Sequence, residues 1–393
     1  MIAPEPFFEP RGTPFSEFHR IRALTELGHQ IDLVTYPFGR DVTMTGLRLF
    51  RCLRPPFVRR VAIGPSLAKI PLDALLAATV VRRALSTRYD VIHSHEEGGV
   101  IGVMVAWLLR IPHLYDMHSS LPQQLTNFAF TKSRAVRWCF EMLERFVVRH
   151  SRVVIVICPE LKTTVQSIDP DVPCVLIENA PGSSEEEPNG TPEALRVSFG
   201  LAPSQPVVLY TGTFEAYQGL DLLLDSFAHV LRRRPDARLV MAGGSGDQID
   251  AMRSEAASRG IAGAVMFTGQ RPSSEIPLYL RMADVLVSPR STGTNTPLKI
   301  YQYLRSGTPI VATRLLTHTQ VLSDETAILT TATAEGFAEG ILDALDDRAR
   351  SSAIAARARH LAETKYSYDA YLGRTREACA HLIMPQGAAQ MPA

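Results

Sequence analysis

The sequence lacks the cysteine pattern of a disulfide-bonded or zinc-binding protein. It has five cysteines, an odd number, and they are widely spaced with no C-x-x-C pair: Cys52, Cys139, Cys158, Cys174 and Cys379. This spacing argues against a disulfide framework, cysteine-bound zinc and redox chemistry. We therefore expect reduced thiols and a cytoplasmic protein.

Long hydrophobic runs and an excess of one charge are also lacking. The longest apolar run, GGVIGVMVAWLL at 98–109, is shorter than the roughly 20 residues that cross a bilayer, so it predicts a buried helix. The chain opens without a recognisable secretory signal. Since 41 basic side chains nearly balance 40 acidic ones, nothing indicates a nucleic-acid partner.

A G-x-G-x-x-G fingerprint is absent, so a nicotinamide or flavin cofactor is poorly supported. His93 and His95, in IHSHEE, project to one side of an extended segment and could bind a metal. No third ligand has recognisable spacing. We therefore expect neither a cofactor nor a metal.

The length of 393 residues predicts two domains. Strand and helix patterns alternate over 1–182 and again over 205–364, which is typical of parallel, doubly wound sheets. A segment rich in proline, glycine, serine and glutamate, at 183–204, is the predicted linker. The tail, 365–393, is predicted to form a helix that packs back toward the N-terminal domain.

The predicted fold class is α/β, with two Rossmann-like doubly wound parallel-sheet domains facing a central cleft. Ligands are expected at the carboxyl ends of the strands. The opening MIAPEPFF offers only Ile2 and Ala3 for a central strand, so whether the true start lies upstream of Met1 is open.

The stretch SPRSTGTNTPLKIYQYLRSGTPIVATR, at 288–314, combines a strand end, a small polar loop and an amphipathic helix. Free N–H groups in the first turn of a helix suit a phosphate, and Lys299 adds a full charge beside them. The alternative is a plain loop in which Thr294 or Thr296 caps the helix and the lysine is solvated.

Other strand ends carry glycines and a histidine. Gly212 and Gly219 flank the bend after the first strand of the second domain, and Gly12 follows the first strand of the chain. Such glycines let backbone approach a ligand, although bare turns are the commoner meaning. His118 follows a strand end, where it could exchange a proton near neutral pH or serve a structural role.

Several pieces together resemble the family 4 glycosyltransferases, retaining enzymes of the GT-B fold: APEPFFEPRGTP, LYTGTFEAYQGLDLLL, AGGSGD, IPLYLRMADVLVSPR and GTNTPLKIYQYLRSGTPIVAT. The resemblance covers nearly the whole chain. It implies a nucleotide-sugar donor in the C-terminal domain and a glycan or lipid-linked acceptor in the N-terminal one. It implies no metal, because helix N-termini and basic side chains stabilise the leaving diphosphate.

Compared with this family, four positions are substituted. The paired glutamates of the Glu-x7-Glu signature fall at Thr294 and Gln302, and the usual arginine and lysine fall at Thr213 and Gln218. Gln302 can still bond ribose hydroxyls, with Thr294 and Asn295 near the donor sugar. Whether these substitutions leave the protein active is open.

Lys299 is the predicted replacement for the missing cations, with Arg290 and Arg271 as reserves. The residues predicted to hold the donor diphosphate are Gly12, Gly212, Thr213, Gln218, Thr296, Leu298 and Lys299. By resemblance, His118 matches a histidine that contacts the donor sugar, and it is the predicted catalytic residue.

Two rival functions stay open: a non-catalytic nucleotide-sugar or glycan-binding protein, and a nucleotide-sugar epimerase. An epimerase would need clustered acids and histidines, and the sequence offers only His93, His95, Glu96, Glu97 and His118. Separately, the segment 46–64 interleaves arginines with bulky apolar residues. That pattern predicts contact with an anionic membrane, at the inner face of the plasma membrane. The alternative is a long loop with solvated arginines, since Pro55 and Pro56 prevent a single helix.

Overall fold

A computed structural model describes residues 1–8, 12–58, 61, 69–122, 133–178 and 190–383. The chain divides into two compact units. The first comprises Met1–Asn179 together with Asp369–Ala393, and the second comprises Ala180–Tyr368.

The first unit is built on a sheet of seven parallel strands in the order β3-β2-β1-β4-β5-β6-β7. Its strands are β1 Ile2–Ala3, β2 Ile31–Thr35, β3 Leu47–Arg51, β4 Ile92–His95, β5 His113–Met117, β6 Val153–Val156 and β7 Cys174–Leu176. The short β1 lies between β2 and β4, and pairs in parallel with both. The strand order therefore reverses beside β1, which is where doubly wound sheets place their sites.

The helices of the first unit are α1 Gly12–Glu26, α2 Lys69–Ser86, α3 Gly98–Leu109, α4 Arg134–His150, α5 Pro159–Ile168 and, from the end of the chain, α14 Tyr368–Ile383. Apolar residues of α2 and α3 share one core cluster with β1 and β2, whereas those of α1 share a different cluster with β2. The sheet is thus covered on both faces, as parallel sheets require.

The second unit has a sheet of six parallel strands in the order β10-β9-β8-β11-β12-β13. They are β8 Val207–Thr211, β9 Arg238–Ala242, β10 Val265–Gly269, β11 Val285–Ser288, β12 Ile310–Thr313 and β13 Ile328–Thr330. Every residue of β8 and β11 is buried, because central parallel strands are covered by helices on both faces.

The helices of the second unit are α6 Pro192–Ser198, α7 Leu220–Arg233, α8 Gly246–Ser258, α9 Ile276–Met282, α10 Lys299–Ser306, α11 Leu316–Thr319, α12 Ala334–Asp346 and α13 Arg348–Thr364. Two short 3-10 turns, Ala216–Gln218 and Ala262–Ala264, complete it. Among the described residues of the chain, no helix combines the length and the apolarity that a membrane span needs.

The predicted fold class of two parallel-sheet α/β domains is confirmed. The structure differs from the predicted linker at 183–204, because α6 lies within that segment and belongs to the second unit. Thr191 caps α6, and Arg196 ties it to α9 by donating to the Met282 carbonyl at 2.7 Å. The edge strands β3, β7 and β13 were not anticipated.

A buried ion pair holds α14 on the first unit. Arg20 Nε donates to Asp116 Oδ2 at 2.9 Å, and both side chains are almost completely shielded from solvent. The same guanidinium donates to Thr375 Oγ1 at 3.2 Å and lies 5.0 Å from the centre of the Tyr371 ring. Arg20 thus joins a helix near the start of the chain to the last helix.

We predict that Arg20→Ala lowers the free energy of unfolding by about 3–5 kcal/mol, because it leaves the Asp116 carboxylate buried without its partner. Arg22→Ala, on the same helix, removes an ion pair to Glu26 that is partly exposed to solvent. That control should cost less than about 1 kcal/mol. Denaturant unfolding of both variants tests this, and equal losses would contradict it.

Candidate functional site

The second sheet reverses its strand order between β8 and β11. Because both strands are parallel, their carboxyl ends lie at the same edge of the sheet. The loop after β8 carries Gly212 and Thr213, and the loop after β11 carries Arg290. The predicted donor residues of the second unit therefore meet at the point where open α/β sheets bind ligands.

Two glycines give this edge its shape. Gly212 has φ +139°, and a Cβ there would lie 3.2 Å from the Tyr210 hydroxyl and 3.6 Å from Lys299 Nζ. Gly219 has φ +71°, and a Cβ there would lie 2.1 Å from the Pro289 carbonyl oxygen. Only glycine permits these backbone angles and approaches. The glycines therefore let the start of α7 lie against the end of β11.

Lys299 is the first residue of α10, and its side chain is only 8% exposed. Its Nζ lies 3.9 Å from the centre of the Tyr210 ring and donates to Gln218 Oε1 at 3.4 Å. Burial and the nearby charge of Arg290 hold the pKa of Lys299 well below its usual range. Protonation of Lys299 is thus disfavoured in the free protein, and a bound anion would favour the ammonium form.

Arg290 supplies the second positive charge. Its guanidinium donates to the Asn295 carbonyl at 2.5 Å and to Thr317 Oγ1 at 2.7 Å, and lies 5.0 Å from the centre of the Tyr217 ring. Burial lowers the pKa of Arg290. In the part of the chain that the structure describes, no ion pair joins Lys299 or Arg290 to a carboxylate.

The first turn of α10 has no side-chain cap, since its N-cap position is Leu298. Thr296 is buried, and its Oγ1 has no hydrogen-bond partner. The backbone carbonyl of Thr294 instead accepts from Gln320 Nε2 at 2.6 Å. Thr296 therefore does not cap α10, and the alternative of a solvated lysine is wrong because Lys299 is buried. The N–H groups of Ile300 and Tyr301 donate to backbone carbonyls of the preceding turn.

The other predicted residues of the second unit differ in how closely they approach this edge of the sheet. Gln218 Nε2 donates to Thr213 Oγ1 at 3.5 Å, so the two substituted cation positions touch each other. Gln302 is half-buried on α10. Arg271 is exposed after β10, 6.0 Å from the centre of the Tyr279 ring, and β9 separates β10 from β8. The structure therefore does not bring Arg271 to Lys299.

Gly12 and His118 belong to the first unit. Gly12 begins α1 with φ +46° and open space where a Cβ would lie. His118 is buried just after β5, with Nε2 3.3 Å from Asp116 Oδ1 and 3.2 Å from His95 Nδ1. Burial lowers the pKa of His118 to about 4, although Asp116 opposes this. The imidazole is thus neutral at pH 7, which disagrees with the expectation of proton exchange near neutrality.

A possible metal site lies in the same cluster. His93, His95 and Asp116 are buried and offer ligand atoms within 4.8 Å of one another, so Asp116 is the third ligand that the sequence did not reveal. However, Arg20 already donates to the Asp116 oxygen nearest to His93. A cation would have to share that carboxylate with a buried guanidinium, so the arrangement favours a hydrogen-bonded proton network over a metal centre.

Buried carboxyl groups surround this cluster, and of these the sequence pointed to Glu96 but not to Glu17. Burial and the neighbouring Glu5 raise the pKa of Glu17 well above its usual value, and burial and Glu97 do the same for Glu96. Ser119 Oγ donates to Glu96 at 2.9 Å. The available signal was that Glu17 occupies the same face of α1 as the buried Ile21 and Leu24.

We predict that His118 makes the protein less stable as the pH falls from about 6.5 to 4. In that pH window His118 takes up a proton in the unfolded chain but not in the folded protein. The free energy of unfolding therefore decreases with acidification. Between pH 7 and pH 5, the wild type should lose about 2 kcal/mol more than His118→Gln. Denaturant unfolding at both pH values measures this, and parallel losses would show that the imidazole is not held neutral.

Two family models match the chain: "Glycosyl transferases group 1" over residues 192–361 and "Glycosyl transferase 4-like domain" over residues 19–180. A D-inositol 3-phosphate glycosyltransferase of Corynebacterium diphtheriae is 29% identical over 75% of this chain and 71% of its own length.

Two solved structures show the same fold. The sucrose-phosphate synthase of Thermosynechococcus elongatus has a TM-score of 0.77 at 20% identity, covering 97% of this chain and 98% of that one. The HepE protein of Anabaena, in complex with UDP-glucose, has a TM-score of 0.72 at 16% identity, covering 96% and 98%.

Proposed function

Because the chain belongs to the family 4 glycosyltransferases, we propose that it transfers a sugar from a nucleotide-sugar donor to a glycan or lipid-linked acceptor, with retention of the anomeric configuration. The donor is a substrate, and the proposal includes no metal and no separate cofactor. The second unit binds the donor, and the first binds the acceptor.

The observation that carries the proposal is the pair of cations at the carboxyl edge of β8 and β11. Lys299 is buried, Arg290 is partly buried, and no described carboxylate forms an ion pair with either. Two positive charges beside an uncapped helix start form a site for a dianionic group. A nucleoside diphosphate fits this description, and the HepE protein with the same fold is in complex with UDP-glucose.

The chemistry follows from where charge develops. When the bond from the sugar to the diphosphate breaks, negative charge accumulates on the leaving phosphate oxygens. Lys299, Arg290 and the positive end of the α10 dipole stabilise that charge electrostatically. His118, held neutral by burial, hydrogen-bonds the reacting sugar rather than carrying a proton at pH 7.

The substituted signature supports a second candidate, a nucleotide-sugar-binding protein without turnover. Thr294 and Gln302 stand where the family has glutamates, and neither can accept the charge-assisted hydrogen bonds that a carboxylate accepts. This candidate shares the donor site of the first proposal. The two differ in turnover alone.

The predicted membrane contact through 46–64 remains an expectation, and so does the inner face of the plasma membrane. Within this segment, Leu47–Arg51 forms β3, Arg48 pairs with Asp32, and Arg51 pairs with Asp41. Arg54 lies 4.9 Å from the centre of the Phe38 ring. Residues 59, 60 and 62–64 lie outside the described part of the chain.

We predict that Lys299→Met weakens binding of the matching nucleoside diphosphate by roughly tenfold to a hundredfold, because a hydrogen bond from a charged donor is lost. A thermal-shift titration with UDP, GDP and ADP measures this through ligand-linked stabilisation. Lys365→Met, an exposed lysine of the same unit, is the matched control. The diphosphate site would be wrong if Lys299→Met bound as the wild type does.

Turnover separates the two candidate functions. We expect the wild type to release the nucleoside diphosphate from one nucleotide sugar, and Thr294→Glu with Gln302→Glu to accelerate that release by restoring the paired carboxylates. The assay follows diphosphate release and the anomeric configuration of the product by NMR. Binding without release in every donor and acceptor combination would favour the non-catalytic candidate.

A further inference from the structure

Large apolar side chains are exposed on two neighbouring helices of the first unit, α3 and α4. They are Met104, Trp107 and Leu108 on α3, and Trp138, Met142 and Phe146 on α4. Trp107 is 82% exposed and Trp138 is 63% exposed. In the described part of the second unit, the exposed large apolar side chains are only Val197 and Leu316. We call the six side chains of α3 and α4 the α3–α4 surface.

Helical geometry makes this surface continuous along each helix. On α4 the three side chains are spaced by four residues, and on α3 the spacing is three and one, so each set lies on one side of its helix. The opposite sides are already occupied, because Val105 and Ala106 of α3 lie in one core cluster and Val147 of α4 packs with Tyr115 in another. The exposed apolar side chains are therefore not part of the core that packs these helices onto the sheet.

The charge around the surface is positive. Arg134, Arg145 and Arg149 are exposed on α4. The acidic residues of this helix are already engaged, since Glu141 pairs with Arg137 and Glu144 is buried against the backbone N–H of Leu121. An exposed apolar stripe with arginines beside it complements an anionic, amphipathic partner.

We infer that the α3–α4 surface binds the surface of a lipid bilayer that contains anionic lipids. Tryptophan, phenylalanine and methionine enter the boundary between headgroups and acyl chains, and the arginines pair with lipid phosphates. A second copy of the chain is a poorer occupant, because a symmetric contact would bring two sets of arginines together. The inference does not depend on the donor site. With a lipid-linked acceptor, binding to the bilayer would bring the protein to its substrate.

Vesicle flotation of the 393-residue chain tests the inference. We expect recovery with vesicles of phosphatidylglycerol and phosphatidylcholine to exceed recovery with phosphatidylcholine alone by roughly tenfold. Trp138→Ser, Met142→Ser and Phe146→Ser together should abolish the excess. The matched control, Val197→Ser with Leu316→Ser, alters the exposed apolar residues of the second unit and should float as the wild type does. Equal recovery from both vesicle types would overturn the inference.

The arginines are tested separately with Arg134→Glu and Arg145→Glu, which should lower recovery with anionic vesicles by roughly tenfold. Arg281→Glu with Arg350→Glu reverses the same number of exposed charges in the second unit and is the control. Nucleotide thermal shifts of all variants should match the wild type. Membrane binding and donor binding can therefore fail independently.

Cys139 is exposed on the same helix and offers a position for an environment-sensitive dye. Anionic vesicles should shift its emission to the blue, and nitroxide-labelled lipids should quench it. Cys139→Ser corrects for labelling of the other thiols. A shift that depends on protein concentration without vesicles would mean that a second copy covers the surface, and would overturn the inference.

Discussion

The second unit depends on two positive charges that it does not neutralise itself. Lys299 and Arg290 lie at the edge where β8 and β11 end, and the described residues supply them with ring faces, amides and carbonyls but no carboxylate. The uncapped start of α10 adds partial positive charge. Folding therefore leaves a positive, partly desolvated edge that an anionic ligand can neutralise.

The first unit handles charge in the opposite way. Arg20 and Asp116 neutralise each other in the core, and the histidines around them remain uncharged because burial disfavours their protonation. Glu17 is likewise shifted toward its neutral form. Such a network orients hydrogen bonds without presenting a net charge, which suits recognition of sugar hydroxyls better than binding of a phosphate.

The four substituted signature positions have a joint effect on the donor site. By comparison with the family pattern, Thr213 and Gln218 remove two positive charges, while Thr294 and Gln302 remove two negative ones. The net charge expected at the edge is unchanged. Lys299 and Arg290 can therefore dominate the electrostatic field at this edge. This explains how a site without the usual residues could still hold a diphosphate.

The sequence by itself determined the alternation of strands and helices, the division into two parallel-sheet units and the loop that leads to Lys299, because periodicity and strand-end composition are local properties. It did not reveal β3, β7 and β13, which are edge strands with weak patterns. Only tertiary structure brought Arg290 beside Lys299 and excluded Arg271. It also decided that Arg20 and Glu17 are buried and that His118 is neutral, since desolvation and distant partners set those properties.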